Sequence, residues 1–264
     1  MQTSEQDHVK ASVRERYGAV AKAEAGSGCA PSGGCCSSPV TATDATRRGY
    51  SAAEAHAVPE GSDMGLGCGN PLAIASIQTG ETVLDLGSGG GFDAFLASPR
   101  VGPTGRVIGV DMTPEMIFKA RANASKGGFQ NVQFRLGEIE HLPVADHTVD
   151  VIISNCVINL SPDKSQVFRE AWRVLRPGGR LAISDVVATA VMPEALRKDL
   201  AAYTGCVAGA ALADDVQEML VQAGFIRIRI QPKDSSREFI REWMPGSSAS
   251  DYVVSAIIEA EKPE

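Results

Sequence analysis

The run VLDLGSGGGFD, from Val83 to Asp93, constrains the fold of this chain more than any other stretch. Apolar residues that read as a strand carry an acid, Asp85, near their end. Gly87, Gly89, Gly90 and Gly91 follow, and a helical period starts at once. A turn of that kind brings bare backbone close to a ligand at the carboxyl edge of a parallel sheet. From there on, short apolar runs alternate with helix-period segments, as a sheet covered on both faces requires. The runs predict strands at Thr82 to Leu86, Arg106 to Val110, Val132 to Leu136, Val149 to Ser154, Arg180 to Val186, Arg227 to Ile230 and Tyr252 to Ala260. Helices are expected near Asp93 to Ala97, Pro114 to Lys126, Ser165 to Leu175 and Asp214 to Ala223. Thr113 before Pro114 reads as an N-cap and a first helical residue, whereas LRPGGRL, from Leu175 to Leu181, ends a helix and turns the chain into a strand.

Upstream of the sheet pattern the chain changes character. Val9, Val13, Tyr17 and Ala21 recur every four residues and predict one amphipathic helix. From Gly26 to about Gly69, Gly, Ser, Pro, Ala and Thr dominate, which predicts loop with a short helix around Ala52 to His56. Three segments are therefore expected: 1–69, a helix and a cysteine-rich lid or redox loop; 70–187, a cofactor-binding core; and 188–264, a substrate-binding region with the last strands.

Composition narrows the ligand. A net charge of −7 and 5 % aromatic residues supply neither the positive field nor the stacking platforms of a nucleic-acid binder. No run approaches the roughly 18 apolar residues of a membrane span, and the amino terminus carries no basic cluster followed by an apolar stretch. The expectation is a cytoplasmic, monomeric protein acting on a small molecule, with neither nucleic acid nor membrane as partner. The glycine turn alone does not identify that molecule, because dinucleotide enzymes use a similar one. Two residues discriminate. The dinucleotide spacing G-x-G-x-x-G, counted from Gly87, needs glycine where Phe92 stands, and Asp85 places negative charge where a pyrophosphate would lie. A carboxylate there favours a cation such as a sulfonium or an amine. Asp111, ending VIGVD at the next strand tip, can accept both hydroxyls of a ribose.

DLGSGGG, VIGVD and LRPGGRL in this order resemble the class I S-adenosylmethionine-dependent methyltransferases. The resemblance implies an α/β, Rossmann-like fold: a mostly parallel sheet of seven strands, the last antiparallel, with helices on both faces. It also implies a cofactor site. Gly87, Ser88, Gly89 and Gly91 would line the methionine part with Asp85 near its charged end, Asp111 would take the ribose, and Met112 would cover the adenine. Glu138 and Ile139 of GEIEHLP would lie at the adenine edge, and Asn155 at the tip of the fourth strand would face the cofactor.

The six cysteines carry a more specific signal. None of Cys68, Cys156 and Cys206 belongs to a C-x-x-C pair, so a zinc knuckle is a poor reading. GCGNP, SNCVINLSPDK and GCVAGA, together with the upstream loop holding Cys29, Cys35 and Cys36, resemble the arsenite methyltransferases over nearly the whole chain. That resemblance implies methyl transfer from S-adenosylmethionine to trivalent arsenic, arsenite or a methylated arsenical, in arsenite detoxification. A glutathione or thioredoxin-type thiol reductant would be co-substrate. Cys68, Cys156 and Cys206 would hold the arsenic, and Cys36 would serve as the redox thiol of the amino-terminal segment, with Cys35 and Cys29 as alternatives. His8, His56, His141 and His147 read as surface or loop residues, since an arsenic lone pair needs no general base. Two other readings stay open: a methyltransferase for a small oxygen, nitrogen or carbon nucleophile, and a non-catalytic thiol-based arsenic binder or redox sensor.

Overall fold

Successive residues of a strand point to opposite faces of a sheet, and in this chain that alternation feeds two separate cores. Leu84 and Leu86 of β1 (Thr82–Leu86) join one apolar cluster and Val83 the other; Ile108 and Val110 of β2 (Arg106–Asp111) join the first and Val107 the second. The structure is a computed structural model that describes residues 3–23, 42–243 and 248–264. Cys29, Cys35 and Cys36 lie outside the described residues.

The remaining strands are β3 (Val132–Leu136), β4 (Val149–Asn155), β5 (Leu175–Ala188), β6 (Ile226–Lys233) and β7 (Val253–Glu261). They form one seven-stranded sheet in the order β3-β2-β1-β4-β5-β7-β6. Strands β1 to β5 pair in parallel, and β7 runs antiparallel to both β5 and β6. The expected sheet with its antiparallel last strand is thus the observed one.

Among the described residues the helices are α1 (Thr3–Lys22), α2 (Ala42–Arg47), α3 (Ala52–His56), α4 (Phe92–Val101), α5 (Pro114–Gly127), α6 (Lys164–Val174), α7 (Glu194–Arg197), α8 (Leu200–Thr204), α9 (Ala213–Ala223) and α10 (Arg237–Ile240). Val167, Phe168, Ala171 and Val174 recur at helical spacing on α6 and, with Val216 and Leu220 of α9, cover one face. Phe92, Phe95 and Leu96 of α4 and Ile117 and Ala120 of α5 cover the other. The short helix expected around Ala52 is held by a capping box, in which Ser51 accepts from the Glu54 N–H and the Glu54 carboxylate accepts from the Ser51 N–H.

Several elements run longer than expected, α4, β5 and β6 among them, and the start of β5 differs most. Pairing of β5 begins at Leu175, opposite Val149, and resumes at Arg180, opposite Val151, so the Pro-Gly-Gly turn is an excursion within a strand rather than its leader. Gly178, at φ +73, makes that excursion possible and bonds through its N–H to the Lys262 carbonyl at 3.1 Å.

The strand order fixes where a ligand belongs. The chain leaves β1 toward β2 and later returns on the opposite side of β1 as β4. At such a switch point the loops diverge and leave a crevice at the carboxyl ends of the strands. A third apolar cluster closes that edge, drawing Val13 from α1, Cys68, Cys156, Leu160, Val186, Cys206 and Val207 together. Among the described residues no helix is long and apolar enough to cross a membrane.

Candidate active site

The crevice is a cavity of about 320 Å³ whose walls come from the turns after β1, β2, β3 and β4, from α1, and from the segment around Cys206. That volume suits one small ligand buried over most of its surface. Of the residues expected to bind cofactor, Gly87, Gly89, Asp111, Met112, Ile139 and Asn155 line it. Gly87 sits at φ +67, and a Cβ there would stand 2.4 Å from a Val157 methyl, so only glycine lets the β1 and β4 tips come this close. Asp111 ties the glycine turn to the β2 tip. Its Oδ2 accepts from the Gly89 N–H at 3.0 Å and its Oδ1 from the Thr113 N–H at 2.9 Å. Burial raises its pKa, and those N–H donors hold the rise in check.

Asp85, Ser88, Gly91 and Glu138 stand elsewhere than on the cavity wall. Asp85 is buried behind the glycine turn at 3 % exposure. Burial, and then the charges of Asp93 and Asp111, push its pKa well up. Gly91 caps α4 in a left-handed conformation, and the Ser88 hydroxyl is buried without a partner. Glu138 turns away to an ion pair with Lys10 at 2.7 Å and a contact with Arg14, both on α1. Its place is taken by Glu140, which lines the cavity and accepts from the Ser161 hydroxyl at 2.6 Å.

Asn155 is the hinge between this cavity and the thiols. Its Oδ1 accepts from the Cys68 N–H at 2.9 Å, while its Nδ2 donates to the Gly69 carbonyl at 2.8 Å, the Tyr50 hydroxyl at 3.0 Å and Asp93 at 3.3 Å. The Tyr50 hydroxyl in turn donates to Asp93 at 2.6 Å. Burial lifts Asp93 to a pKa of about 6 against the pull of these donors.

Cys68, Cys156 and Cys206 come from three remote segments and meet in one buried cluster, all as free thiols. Cys156 is central. Hydrogen bonding with the Cys206 and Cys68 thiols, and then burial, push its ionisation well up, so it is a neutral thiol. The Cys206 thiol donates to the Cys156 carbonyl at 3.0 Å, and the Cys156 N–H bonds the Ser184 carbonyl at 2.8 Å. Both Cys156 and Cys206 are left-handed, at φ +61 and +64. Among the described residues no three His, Cys, Asp or Glu side chains already form a chelating set. The expected cage is therefore a group of adjacent thiols, with Cys206 engaged by a carbonyl and needing to turn before all three sulfurs face one atom.

Several wall residues escaped the sequence reading. Lys10, Val13, Arg16 and Tyr17 of α1, together with Val157, Leu160 and Trp243, line the cavity. The period of four in α1 marked an apolar face but not what it covers. Behind the wall, Asp185 is lifted to about 6 by burial and accepts the N–H groups of Ile158 and Val186 at 2.9 and 2.7 Å, which pins the turn that follows Cys156. Burial lowers Lys164 to about 8, opposed by Asp185, Cys206 and Glu140. None of the four histidines lines the cavity.

Comparison with known proteins agrees with the geometry. A family model described as a methyltransferase domain matches residues 77–224. An arsenite methyltransferase of Halobacterium salinarum is 55 % identical over 257 residues, 95 % of this chain and 66 % of that protein. The human arsenite methyltransferase is 39 % identical over 173 residues, 62 % of this chain and 46 % of that protein. The chain thus spans about half to two thirds of the length of these relatives. Among solved structures, the arsenic(III) S-adenosylmethionine methyltransferase CrArsM of Chlamydomonas reinhardtii superposes with a TM-score of 0.61 at 32 % identity, covering 86 % of this chain and 75 % of that one. A phosphoethanolamine N-methyltransferase of Haemonchus contortus, with a TM-score of 0.62 at 20 % identity over 77 % of this chain and 55 % of that one, shares the fold. The chain belongs to the methyltransferase-domain family, in the branch it shares with the arsenite methyltransferases.

Proposed function

We propose that the chain moves methyl groups from S-adenosylmethionine to trivalent arsenic held by Cys68, Cys156 and Cys206. The observation that carries this reading is the gathering of the three thiols in one buried cluster, two of which, Cys156 and Cys206, line the same cavity as the Asp111 carboxylate, while Cys68 stands behind the wall. The residues fit that cofactor. Asp111 keeps oxygen lone pairs for ribose hydroxyls, and Met112 and Ile139 offer apolar walls for a base. Asp85 and Asp93 are buried acids close to the glycine turn, whose charged forms a bound cation would favour. When bound, S-adenosylmethionine supplies a methyl group activated by its sulfonium.

Arsenic(III) is soft and suits sulfur ligands. Each As–S bond formed from arsenous acid releases one water, made from an arsenic-bound hydroxyl and a thiol proton, so the high pKa of Cys156 is no obstacle. Cys156 follows the β4 tip beside the cavity, so arsenic bound there presents its lone pair toward the cofactor end. Positioning then supplies most of the catalysis, and well-aligned groups reach effective molarities of roughly 10⁵ M or more. Methyl transfer takes arsenic formally from three to five. Two thiols that close a disulfide return the two electrons, a role that suits Cys36 with Cys68, and a glutathione or thioredoxin-type dithiol reopens it. A cytoplasmic, monomeric protein accepting arsenite and methylated trivalent arsenicals completes the reading.

The test incubates the protein with arsenite, a thiol and methyl-labelled S-adenosylmethionine and identifies labelled products by mass. Labelled arsenicals are expected, and Cys156→Ser should abolish them with cofactor affinity retained. Label appearing only on an organic acceptor, or arsenic bound without label, overturns the proposal.

A further inference from the structure

The Cys206 sulfur has a neighbour that the proposed methyl transfer does not use. Its own S–H is directed at the Cys156 carbonyl, 3.0 Å away, which leaves its lone pairs facing the Tyr17 hydroxyl at 3.9 Å. The same hydroxyl lies 3.4 Å from the Thr204 carbonyl, so its hydrogen sits between a carbonyl and a sulfur. With the thiol proton already committed, Tyr17 is the donor of that pair.

Helix α1 holds this hydroxyl in place from both ends. Lys10 pairs with Glu138 at 2.7 Å, Arg16 donates to the Thr204 hydroxyl at 2.9 Å, and Lys22 pairs with Glu115 at 2.9 Å. Gly18 lies against α5 so closely that a Cβ would stand 3.3 Å from the Glu115 carboxylate. The charged and titratable groups around the pair are Arg16 on α1, Cys156 after β4, Lys164 on α6 and Tyr203 on α8. Burial and the neighbouring thiols keep Tyr17 protonated, hence a donor.

We propose that the Tyr17 hydroxyl donates a hydrogen bond to the Cys206 sulfur and so orients that sulfur as an arsenic ligand. Tyr17 is then a positioning residue of the thiol site. As Cys206 turns from the Cys156 carbonyl and bonds arsenic, its proton leaving in the water released there, the Tyr17 hydroxyl shifts to the sulfur from the Thr204 carbonyl. The ligand role rests on the arsenic reading; the hydrogen bond does not.

The variant Tyr17→Phe keeps the ring packed against the apolar cluster that holds the three thiols and deletes only the hydroxyl. Two readouts on the reduced full chain separate the claims. First, iodoacetamide alkylation at fixed pH, located by peptide mass, should slow about three- to tenfold at Cys206 and stay unchanged at Cys68. Second, arsenite titration followed by tryptophan fluorescence, with Trp243 on the cavity wall, should show about a tenfold weaker dissociation constant, the size of one long hydrogen bond to a charged sulfur. At saturation the near-ultraviolet sulfur-to-arsenic band should move to longer wavelength, since a sulfur without a donor gives up electron density more easily. A Tyr17→Phe protein that matches wild type in Cys206 alkylation, arsenite affinity and band position overturns the proposal. A wild-type protein that binds no arsenite overturns the arsenic reading and the ligand role, and the alkylation rates then decide the hydrogen bond alone.

Discussion

Asn155 offers the most direct test of how the cavity and the thiols are joined. Asn155→Ala removes the acceptor for the Cys68 N–H and the donor for the Gly69 carbonyl, bonds of 2.9 and 2.8 Å whose backbone partners are both buried. A buried polar group left without a partner costs about 1–3 kcal/mol, so with two orphaned the variant should lose about 2–6 kcal/mol of stability. Asn155→Asp is the more instructive change. One oxygen still accepts from Cys68, but the other replaces the amide and faces the Gly69 carbonyl and the Asp93 carboxylate, 2.8 and 3.3 Å from the present nitrogen. Two acceptors in contact favour a bound proton, so the new carboxyl has a folded-state pKa above its unfolded value. Folding then takes up a proton, and stability falls as pH rises between the two values. Urea unfolding should place Asn155→Asp close to wild type near pH 4 and well below it at pH 8. The slope with urea should be unchanged. A loss below about 1 kcal/mol for Asn155→Ala, together with an Asn155→Asp difference that is flat from pH 4 to 8, would refute the account of Asn155 as the joint.

Glu138 and Glu140 separate the sequence reading from the geometry. Glu138→Ala should leave S-adenosylmethionine affinity within about twofold, because that carboxylate is directed at α1. Glu140→Ala should weaken it about tenfold or more by stripping a cavity-lining acid that Ser161 and Lys10 hold in place; calorimetric titration of both variants decides. Asp93 tests the buried acid itself. With its pKa at about 6 in the fold, wild type takes up a proton on folding and loses stability as pH rises from about 4 to 6. Asp93→Asn should flatten that decline and be more stable than wild type at pH 7 by about 1–3 kcal/mol, because keeping a carboxyl protonated up to about 6 instead of its ordinary 3.8 corresponds to about 3 kcal/mol. An unchanged pH profile in thermal unfolding would count against a protonated Asp93.

The sheet and the cofactor loops were legible because their causes are local. A strand buried on both faces must be apolar, a turn at φ +67 must be glycine, and Asp111 stands one residue past an apolar run. The Glu138 and Glu140 exchange was not legible, since both leave the same short loop and only distant partners, Arg14 of α1 on Glu138 and the Ser161 hydroxyl on Glu140, tell them apart. The same limit hid Tyr17, Trp243 and Asp185, whose roles depend on which distant segment packs over them. The three cysteines could be chosen by resemblance, but nothing in their spacings of 88 and 50 residues says that they touch; that follows from the sheet order, which brings β4 beside β5 and so sets Cys156 against Ser184.

Backbone conformation adds an independent argument that the thiols matter. Cys156 and Cys206 both occupy the left-handed region, at φ +61 and +64, where a Cβ crowds the following carbonyl at a cost of about 1–2 kcal/mol. Glycine escapes that cost, so a site selected for stability alone would carry it. The comparison of Cys206→Ala with Cys206→Gly isolates the effect, because both remove the sulfur and only alanine keeps the Cβ. At an ordinary position glycine is the less stable of the two by about 0.5–1 kcal/mol. At Cys206 the order should reverse, with glycine ahead by about 1 kcal/mol in urea unfolding, while neither variant methylates arsenic. That reversal would locate strain that the fold carries in order to aim a sulfur. If alanine is the more stable, the left-handed turn is set by neighbouring contacts at no cost, and the conformation says nothing about why a cysteine stands there.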